Sequence, residues 1–323
     1  MVDDSLRRRL EALNRGALPA KLDEGAMPTE PRDVGMLTLG ESKAASPSKG
    51  SRTSSRYVSP LPGLVRRGEV VRTSAGEHLR IRLPLEELWP GGSRLVAARQ
   101  EHLQQLLETN QQSAESPVAM HADFAAFVRS SPDRVLLLDL ETCGLSGSAL
   151  FLVGLLRKFA GAPTVELLLA RDYAEEQPIL ESLWQIVAGH DVLVTFNGKS
   201  FDWPMVADRS TRYRLNVGWA PHTTNKARHS KMVGNVQPAD LLHLDVLHHA
   251  RRRWRGQLPD CRLQTLEAQI CRRQRVGDIA GNLIPAAYAE YVRTGFEREM
   301  DAILYHNAVD LVTLLDLALR LAA

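Results

Sequence analysis

The sequence predicts an α/β fold in which helices cover a β-sheet. Three apolar strand patterns follow one another between residues 134 and 171, and a Gly-Ala-Pro turn separates the second from the third. Helical and strand patterns then alternate, which is typical of a sheet whose faces carry helices. Of the 323 residues, 44% are hydrophobic, enough for the core of one large domain or two modest ones.

The first 130 residues are predicted to divide into a largely disordered segment and a segment with a hairpin and a helix. Residues 1–56 are expected to be largely disordered, because residues 16–56 are rich in Ser, Pro, Gly, Ala and Lys and poor in large apolar side chains. A short amphipathic helix is expected near the start, on Leu6, Leu10 and Leu13. Residues 57–130 should form a β-hairpin over 69–83, with a Ser-Ala-Gly turn, and a helical connector over 95–109.

The main domain is predicted to span residues 131–323. Its first strand is the apolar run that follows Arg134, and the next strands cover 150–159 and 164–171. A helix over 175–188, a strand over 191–196 and a helix over 201–214 follow. The pattern over 241–247 predicts a fifth strand that runs into a helix, and the remainder is expected to be helical, ending in a helix over 296–319.

Charge is unevenly distributed along the chain. Residues 205–275 contain 14 Arg or Lys and 5 Asp or Glu, a net of +9, so the remainder carries −7 because the total is +2. A basic block in a nearly neutral protein suggests a polyanionic partner. A solvated helical face with internal ion pairs is the alternative.

The cysteines and the apolar stretches predict a cytoplasmic protein without a membrane segment. The three cysteines, an odd number, fit no disulfide framework, which is typical of a reducing compartment. The N-terminus has no apolar signal core. The longest apolar stretch, residues 149–156, is too short to span a bilayer.

Two carboxylates mark the end of the first strand of the main domain. Asp139 and Glu141 follow its Leu-rich run, and alternate residues of a strand point to the same face. Ionised carboxylates beside a core are costly unless they are compensated, and a hard divalent cation is the usual compensation for a convergent pair. A strand end wetted by solvent is the alternative.

Two later stretches also place acids at the ends of elements. Asp202 follows the strand 191–196 through an Asn-Gly loop, and ligands of α/β sheets collect at such strand ends. Alternatively, Asp202 is simply favoured in the first turn of a helix. His306 and Asp310 are four residues apart and share a helical face, where a plain His–Asp pair is the alternative.

Together these acids predict a site for Mg²⁺ or Mn²⁺. The set holds four carboxylates and no cysteine: Asp139, Glu141, Asp202 and Asp310. Oxygen ligands of this kind suit Mg²⁺ or Mn²⁺ better than zinc. A zinc site would draw on residues whose spacing fits none of the common zinc patterns: His243, His248, Cys261 and Cys271.

The motifs resemble those of a known nuclease family. D-L-E-T, N-G-K-S-F-D and H-N-x-x-D are similar to the three exonuclease motifs of DEDD nucleases in the ribonuclease H-like superfamily, and the resemblance is closer to the bacterial YprB-like group of predicted exonucleases. Further matching segments are F-L-V-G-L, H-L-D-V-L-H-H-A-R-R-R-W, C-R-L-Q-T-L-E and D-I-A-G-N-L-I-P-A-A-Y. The resemblance covers about residues 134–319 and, more weakly, the hairpin.

The resemblance implies a mixed five-stranded ribonuclease H-like sheet with helices on both faces, and hydrolysis of nucleic-acid phosphodiester bonds by a 3′→5′ exonuclease with two bound ions. In that scheme Asp139 contacts both ions, Glu141 and Asp310 hold the ion that activates water, and Asp202 lies in the outer sphere of the other. His306 would accept the proton of the water.

The identity of this base is less settled than the ligands. Related enzymes carry a Tyr or a His shortly before the last Asp, and here the nearer position is His306 and the farther one Tyr305. Tyr305 is turned roughly 140° away from the face of Asp310 on an ideal helix. A phenol also has an ordinary pKa near 10, whereas that of an imidazole is about 6.5. Both arguments favour His306.

The expected partner is single-stranded DNA or RNA. The arginine-rich run over residues 251–255 should contact the phosphate backbone. Trp254, within this run, would stack on a base or pack in the core. The candidate nucleic-acid-binding residues are Asn197, Lys199, Arg251, Arg252, Arg253, Trp254 and Arg255. Two other functions stay open, namely a nucleic-acid-binding module that does not cut, which would not need four acids, and an endonuclease of the same fold.

Overall fold

The computed structural model describes residues 59–112, 120–144, 147–215 and 241–323. The segment predicted to be disordered, residues 1–56, and the short helix expected within it lie outside these ranges.

The described residues form one mixed sheet of seven strands with helices on both faces, which confirms the predicted α/β class. The strands lie in the order β1-β2-β5-β4-β3-β6-β7. Of the neighbouring pairs, β3–β6 and β6–β7 are parallel and the others are antiparallel. The strands are β1 (Glu69–Thr73), β2 (Gly76–Pro84), β3 (Val135–Thr142), β4 (Leu150–Phe159), β5 (Ala162–Leu169), β6 (Val192–Thr195) and β7 (Leu242–Asp245).

The sheet has two strands more than the predicted five because the hairpin belongs to it. Strand β2 pairs antiparallel with β5, from the pair Leu79–Leu169 to the pair Pro84–Thr164. The apolar side chains that alternate along β2 are stable only when they are buried, and two of them, Ile81 and Leu83, are fully buried. An isolated two-stranded hairpin has too little apolar surface to be stable alone, whereas the edge of β5 provides a continuous core.

Most helices among the described residues follow the predicted order, but two of them, over residues 85–88 and 122–130, were not predicted. The helices are α1 (Leu85–Leu88), α2 (Gly92–Gln112), α3 (Ala122–Ser130), α4 (Glu176–Val187), α5 (Asp202–Arg212), α6 (Val246–Trp254), α7 (Leu263–Leu266), α8 (Ile284–Thr294) and α9 (Arg298–Ala322). A π-helical turn, Glu267–Cys271, continues α7.

Helix α9 is the core helix of this domain and packs against β3, β4 and β5. By length and composition it could cross a membrane, but 89% of its apolar window is buried inside the domain. Against it lies the apolar run of β3, in which Leu136 and Leu138 are fully buried. Strand β3 therefore passes through the core, as the sequence predicts, and its polar end emerges beside α9.

Candidate active site

The acids of β3 project towards α9. Asp139 and Glu141 pair across the sheet with Gly154 and Leu152 of β4, and both side chains are half-buried. The side-chain amide of Asn307, in α9, donates to Asp139 Oδ2 at 2.7 Å and also forms a hydrogen bond with Glu141. One amide thus contacts both carboxylates, so the two acids share a face.

The close approach of α9 to β4 depends on Gly154. A Cβ atom built on Gly154 would lie 1.7 Å from Asn307 Oδ1 and 3.0 Å from Leu311 Cδ1. Neither neighbour can yield easily, because Asn307 is fully buried and held by Asp139. A residue without a side chain is therefore required opposite Asp139.

Asp202 also contacts strand β3. It lies at the end of the loop that follows β6. It is the first residue of α5, and its half-buried carboxylate accepts hydrogen bonds from its own backbone N–H and from that of Leu140. Leu140 lies between Asp139 and Glu141 in β3. Asp202 thus lies in the first turn of α5, where an acid is favoured, and it also lies beside Asp139 and Glu141.

A buried aspartate fixes the loop that leads to Asp202. The carboxylate of Asp245, with its side chain fully buried, accepts the backbone N–H of Asn197 at 2.8 Å and that of Lys199 at 3.1 Å. It also caps the start of α6 through the N–H of Leu247 at 3.1 Å. Asp245 therefore links the loop after β6 to the neighbouring helix.

His306 and Asp310 face each other on α9. His306 Nε2 lies 3.4 Å from Asp310 Oδ2, and His306 Nδ1 is hydrogen-bonded to Asp278 Oδ1 at 2.6 Å. The guanidinium of Arg275 donates to Asp310 and, at 2.5 Å, to Glu267. The imidazole is therefore held from one side by Asp278, while its second nitrogen points to Asp310.

The pKa values show that the carboxylates act on one another. Burial raises the pKa of Asp139 well above its usual range, and the charges of Asp310, Asp202 and Glu141 raise it further. Burial, followed by the charges of Asp310 and Asp202, raises the pKa of Glu141 to about 8, although His306 opposes this shift. Burial and the charge of Asp245 raise the pKa of Asp202 to about 7. These three acids thus interact electrostatically with one another or with Asp310. Asp310 is the member of the group that pairs directly with Arg275.

The histidine shows the complementary shift. Burial lowers the pKa of His306, but the hydrogen bond to Asp278 and the charges of Asp310 and Glu141 outweigh it and raise the pKa to about 9. Burial alone would raise the pKa of Asp278, whereas the hydrogen bond to His306 and the charges of His306 and Arg275 lower it.

This donor set fits hard divalent cations. The charges of Asp310, Asp202 and Glu141 act on Asp139, and carboxylates are the ligand type that Mg²⁺ and Mn²⁺ prefer. In the described parts of the chain, no three of these acids bring their ligand atoms within 4.8 Å of one another. The raised pKa values of Asp139, Glu141 and Asp202 mean that added positive charge would be favourable at this place.

Comparison with known proteins places the fold in a family. A family model described as RNase_H superfamily matches residues 136–322. The chain belongs to the RNase H superfamily. Its fold is that of nucleic-acid hydrolases, whose members typically use divalent metal ions.

Two further similarities accompany this match. The chain is 29% identical over 195 residues to a Bacillus subtilis (strain 168) protein named "Uncharacterized protein YprB", a match that covers 59% of this chain and 42% of YprB. The chain thus spans less than half the length of that relative. The family B DNA polymerase from the hyperthermophilic archaeon Pyrobaculum calidifontis aligns with a TM-score of 0.45 and 17% identity, over 59% of this chain and 24% of the polymerase.

The predicted nucleic-acid-binding residues of this RNase H-like domain lie in two places. Asn197 and Lys199 belong to the loop between β6 and α5, just before Asp202. The arginines of the predicted run lie at the end of α6 and are exposed, and their side chains form no ion pair with any residue that the structure describes: Arg251, Arg252, Arg253 and Arg255. Trp254 is half-buried and packs against the core.

The residues proposed for the alternative zinc site are engaged elsewhere. His243 is buried and hydrogen-bonded to Thr195 at 2.8 Å, and burial lowers its pKa to about 3. His248 lies 3.7 Å from Asp245, Cys261 is half-buried and Cys271 is buried. Within the described ranges, these four residues do not form a group of three ligands.

Three residues of the RNase H-like site were not assigned a role from the sequence. Asn307 bridges the acids, Asp278 orients His306, and Arg275 neutralises Asp310. Asn307 lies within the motif H-N-x-x-D and Asp278 opens the segment D-I-A-G-N. Both signals were visible in the sequence, whereas nothing in the sequence around Arg275 indicates its partner.

Proposed function

We propose that this chain hydrolyses phosphodiester bonds of single-stranded DNA or RNA with two Mg²⁺ or Mn²⁺ ions, as a cytoplasmic 3′→5′ exonuclease of the DEDD type. The observation that carries the proposal is the cluster of Asp139, Glu141, Asp202 and Asp310. These acids come from three distant parts of the chain, and repulsion and burial raise the pKa values of Asp139, Glu141 and Asp202. Membership of the RNase H superfamily supports it.

The four carboxylates would hold the ions. When bound, such ions polarise the phosphate and lower the pKa of the attacking water. Asn307 keeps Asp139 and Glu141 together through its amide, and the backbone N–H of Leu140 orients Asp202. The chain therefore positions the ligands by contacts that do not depend on solvent-exposed side chains.

His306 is the proposed base. The hydrogen bond between Nδ1–H and Asp278 leaves Nε2 as the nitrogen that can take a proton, and Nε2 faces Asp310. The hydrogen bond to Asp278 and the charges of Asp310 and Glu141 raise the pKa of His306 to about 9. Neutralisation of these two charges by bound metal ions would lower that pKa, which makes the imidazole a better base near neutral pH.

The proposed substrate contacts follow from exposed positive charge. The arginines of α6 have no ion pair within the described part of the chain, so their guanidinium groups are free to meet phosphates. The loop at Asn197 and Lys199 leads directly to Asp202 and would contact the backbone near the cleaved bond.

The test is cleavage of single-stranded DNA and RNA that carry a 5′ label, with Mn²⁺ and purified protein. The proposal predicts a ladder that shortens from the 3′ end and no cutting of circular single strands. Asp202→Asn should lose activity, whereas Asp208→Asn, an exposed aspartate of the same helix, should keep it. Cleavage of circular single strands would show that the protein is an endonuclease. Binding of the strands without cleavage would refute the proposed hydrolysis.

A further inference from the structure

A second group of metal-type ligands lies apart from the acidic site. His121 immediately precedes α3, Asp123 is in its first turn, and His249 is in the middle of α6. Asp123 Oδ2 lies 3.8 Å from His121 Nδ1 and 3.6 Å from His249 Nε2. The ligand atoms of all three lie within 4.8 Å of one another, a spacing that no other group of three reaches among the residues described.

We propose that His121, Asp123 and His249 bind a single Zn²⁺ ion. Two imidazoles and one carboxylate are ligands that Zn²⁺ accepts in tetrahedral sites, with a fourth position left for water. Bonds of about 2.0–2.1 Å to such ligands place neighbouring donor atoms about 3.3 Å apart. The carboxylate lies 3.6 Å and 3.8 Å from the two imidazoles, and all three ligand atoms lie within 4.8 Å of one another, so metal binding would draw the three side chains closer together.

The three side chains also cap a helix and pack on one another. His121 Nδ1 accepts the backbone N–H of Asp123 at 3.2 Å, and an ion bound through this nitrogen would replace that hydrogen bond. The imidazole rings of His121 and His249 meet edge to face with centroids 4.7 Å apart, and Phe124 packs on His249 at the same distance. His249 is buried, so its ring is held in place beside Asp123.

A bound ion would join two elements that are far apart in sequence. Helix α3 packs against β6 and β7, and α6 carries the exposed arginines. His249 precedes the first of these arginines, Arg251, by two positions in the same helix. Zn²⁺ at this place would therefore fasten the arginine-bearing helix to α3 without touching the acidic site.

The experiment uses the full chain freed of metal and titrated with Co²⁺, whose visible absorption reports tetrahedral nitrogen and oxygen ligands. One equivalent should produce the absorption, and Zn²⁺ should abolish it. His121→Ala should remove this band and the rise in melting temperature that Zn²⁺ causes. His102→Ala, an exposed histidine of α2, should retain both.

His121 is exposed but caps α3, so its replacement should lower the stability slightly and leave the fold intact, which circular dichroism checks. Asp310→Asn should keep the band, because the acidic site is not involved. Three results would overturn the proposal. They are absence of the absorption band in the wild-type protein, its persistence in His121→Ala, or its loss in Asp310→Asn while His121→Ala keeps it.

Discussion

Glu176 and Asp139 are two acids beside strand β4, and they differ in how their charges are compensated. Glu176 is 1% exposed and accepts three kinds of donor: Arg209 Nε at 2.6 Å, the hydroxyl of Tyr213 at 2.7 Å and the backbone N–H of Leu150 at 2.7 Å. Its charge is paired and its oxygens are hydrogen-bonded. Glu176 therefore holds β4, α4 and α5 together.

Asp139 lacks such compensation. It accepts one hydrogen bond from Asn307, and three like charges raise its pKa in addition to burial. A chain that needed this acid only for stability would place a cation beside it, as it does for Glu176. The comparison indicates that Glu176 serves the fold, and it favours the proposed ligand role for Asp139. Asp310 differs from Asp139 because it pairs with Arg275.

The largest expected effect is on cleavage. Asp139→Asn should reduce exonuclease activity to background, because the proposed ions lose a shared ligand. Its melting temperature without metal should stay equal or rise, since one of several repelling charges is removed. Activity at the wild-type rate would remove Asp139 from the ligand set.

His306→Ala should lower kcat by roughly two to four orders of magnitude, the usual contribution of a general base. Metal binding, measured by calorimetry, should change little. Tyr305→Phe is the matched control, because Tyr305 is half-buried against the core. If Tyr305→Phe is the impaired variant and His306→Ala is not, the two residues exchange roles.

Glu176→Ala should destabilise the fold by about 3–5 kcal/mol, because it leaves Arg209 buried without its partner. Denaturant unfolding measures this difference. The exposed pair of Glu290 and Arg293 provides the contrast, and Glu290→Ala should cost about 0–1 kcal/mol. Similar losses in both variants would contradict the distinction between buried and exposed pairs.

Replacing Arg251, Arg252 and Arg253 by Ala should weaken binding to every single-stranded sequence. The slope of log K against log salt should fall by up to about 2, from roughly 0.7 for each lost phosphate contact. Arg293→Ala, another exposed arginine, should leave the slope unchanged. An unchanged slope in the triple variant would show that these arginines do not meet phosphate.

The smallest effect concerns pH. The folded-state pKa values of Glu141 and Asp202, about 8 and about 7, lie above their ordinary values, so the folded protein binds more protons than the unfolded one in this range. Stability without metal should therefore fall as pH rises from about 5 to about 8. The rise in melting temperature caused by Mn²⁺ should grow over the same window, because metal binding requires deprotonated acids. A stabilisation by Mn²⁺ that is independent of pH would contradict these shifts.

The elements of the sheet could be predicted because their patterns are local. The apolar run before Asp139 and the alternation in the hairpin specify strands, and α9 shows its apolar stripe. The pairing of β2 with β5 could not be predicted, since alternation shows which face is buried but not which strand is the neighbour. That pairing follows from the free edge of β5 and the apolar face of β2.

The candidate site was predictable only in part for the same reason. Asp139, Glu141, Asp202, His306 and Asp310 stand in recognisable motifs, and their role as ligands and base stays a prediction. The contacts of Arg275 with Asp310 and of Asp278 with His306 join residues 35 and 28 positions apart. His249 lies in α6 and His121 immediately before α3, so no local pattern could have joined them.

The glycine opposite Asp139 sets a limit on the relatives of this chain. A single methyl group at position 154 would overlap Asn307 and force α9 away from β4. The amide would then no longer reach both acids, even if every acid were retained. Position 154 is therefore diagnostic for related sequences. We expect a related sequence that keeps all four acids but carries a larger residue at this position to lack the arrangement in which one amide contacts both acids.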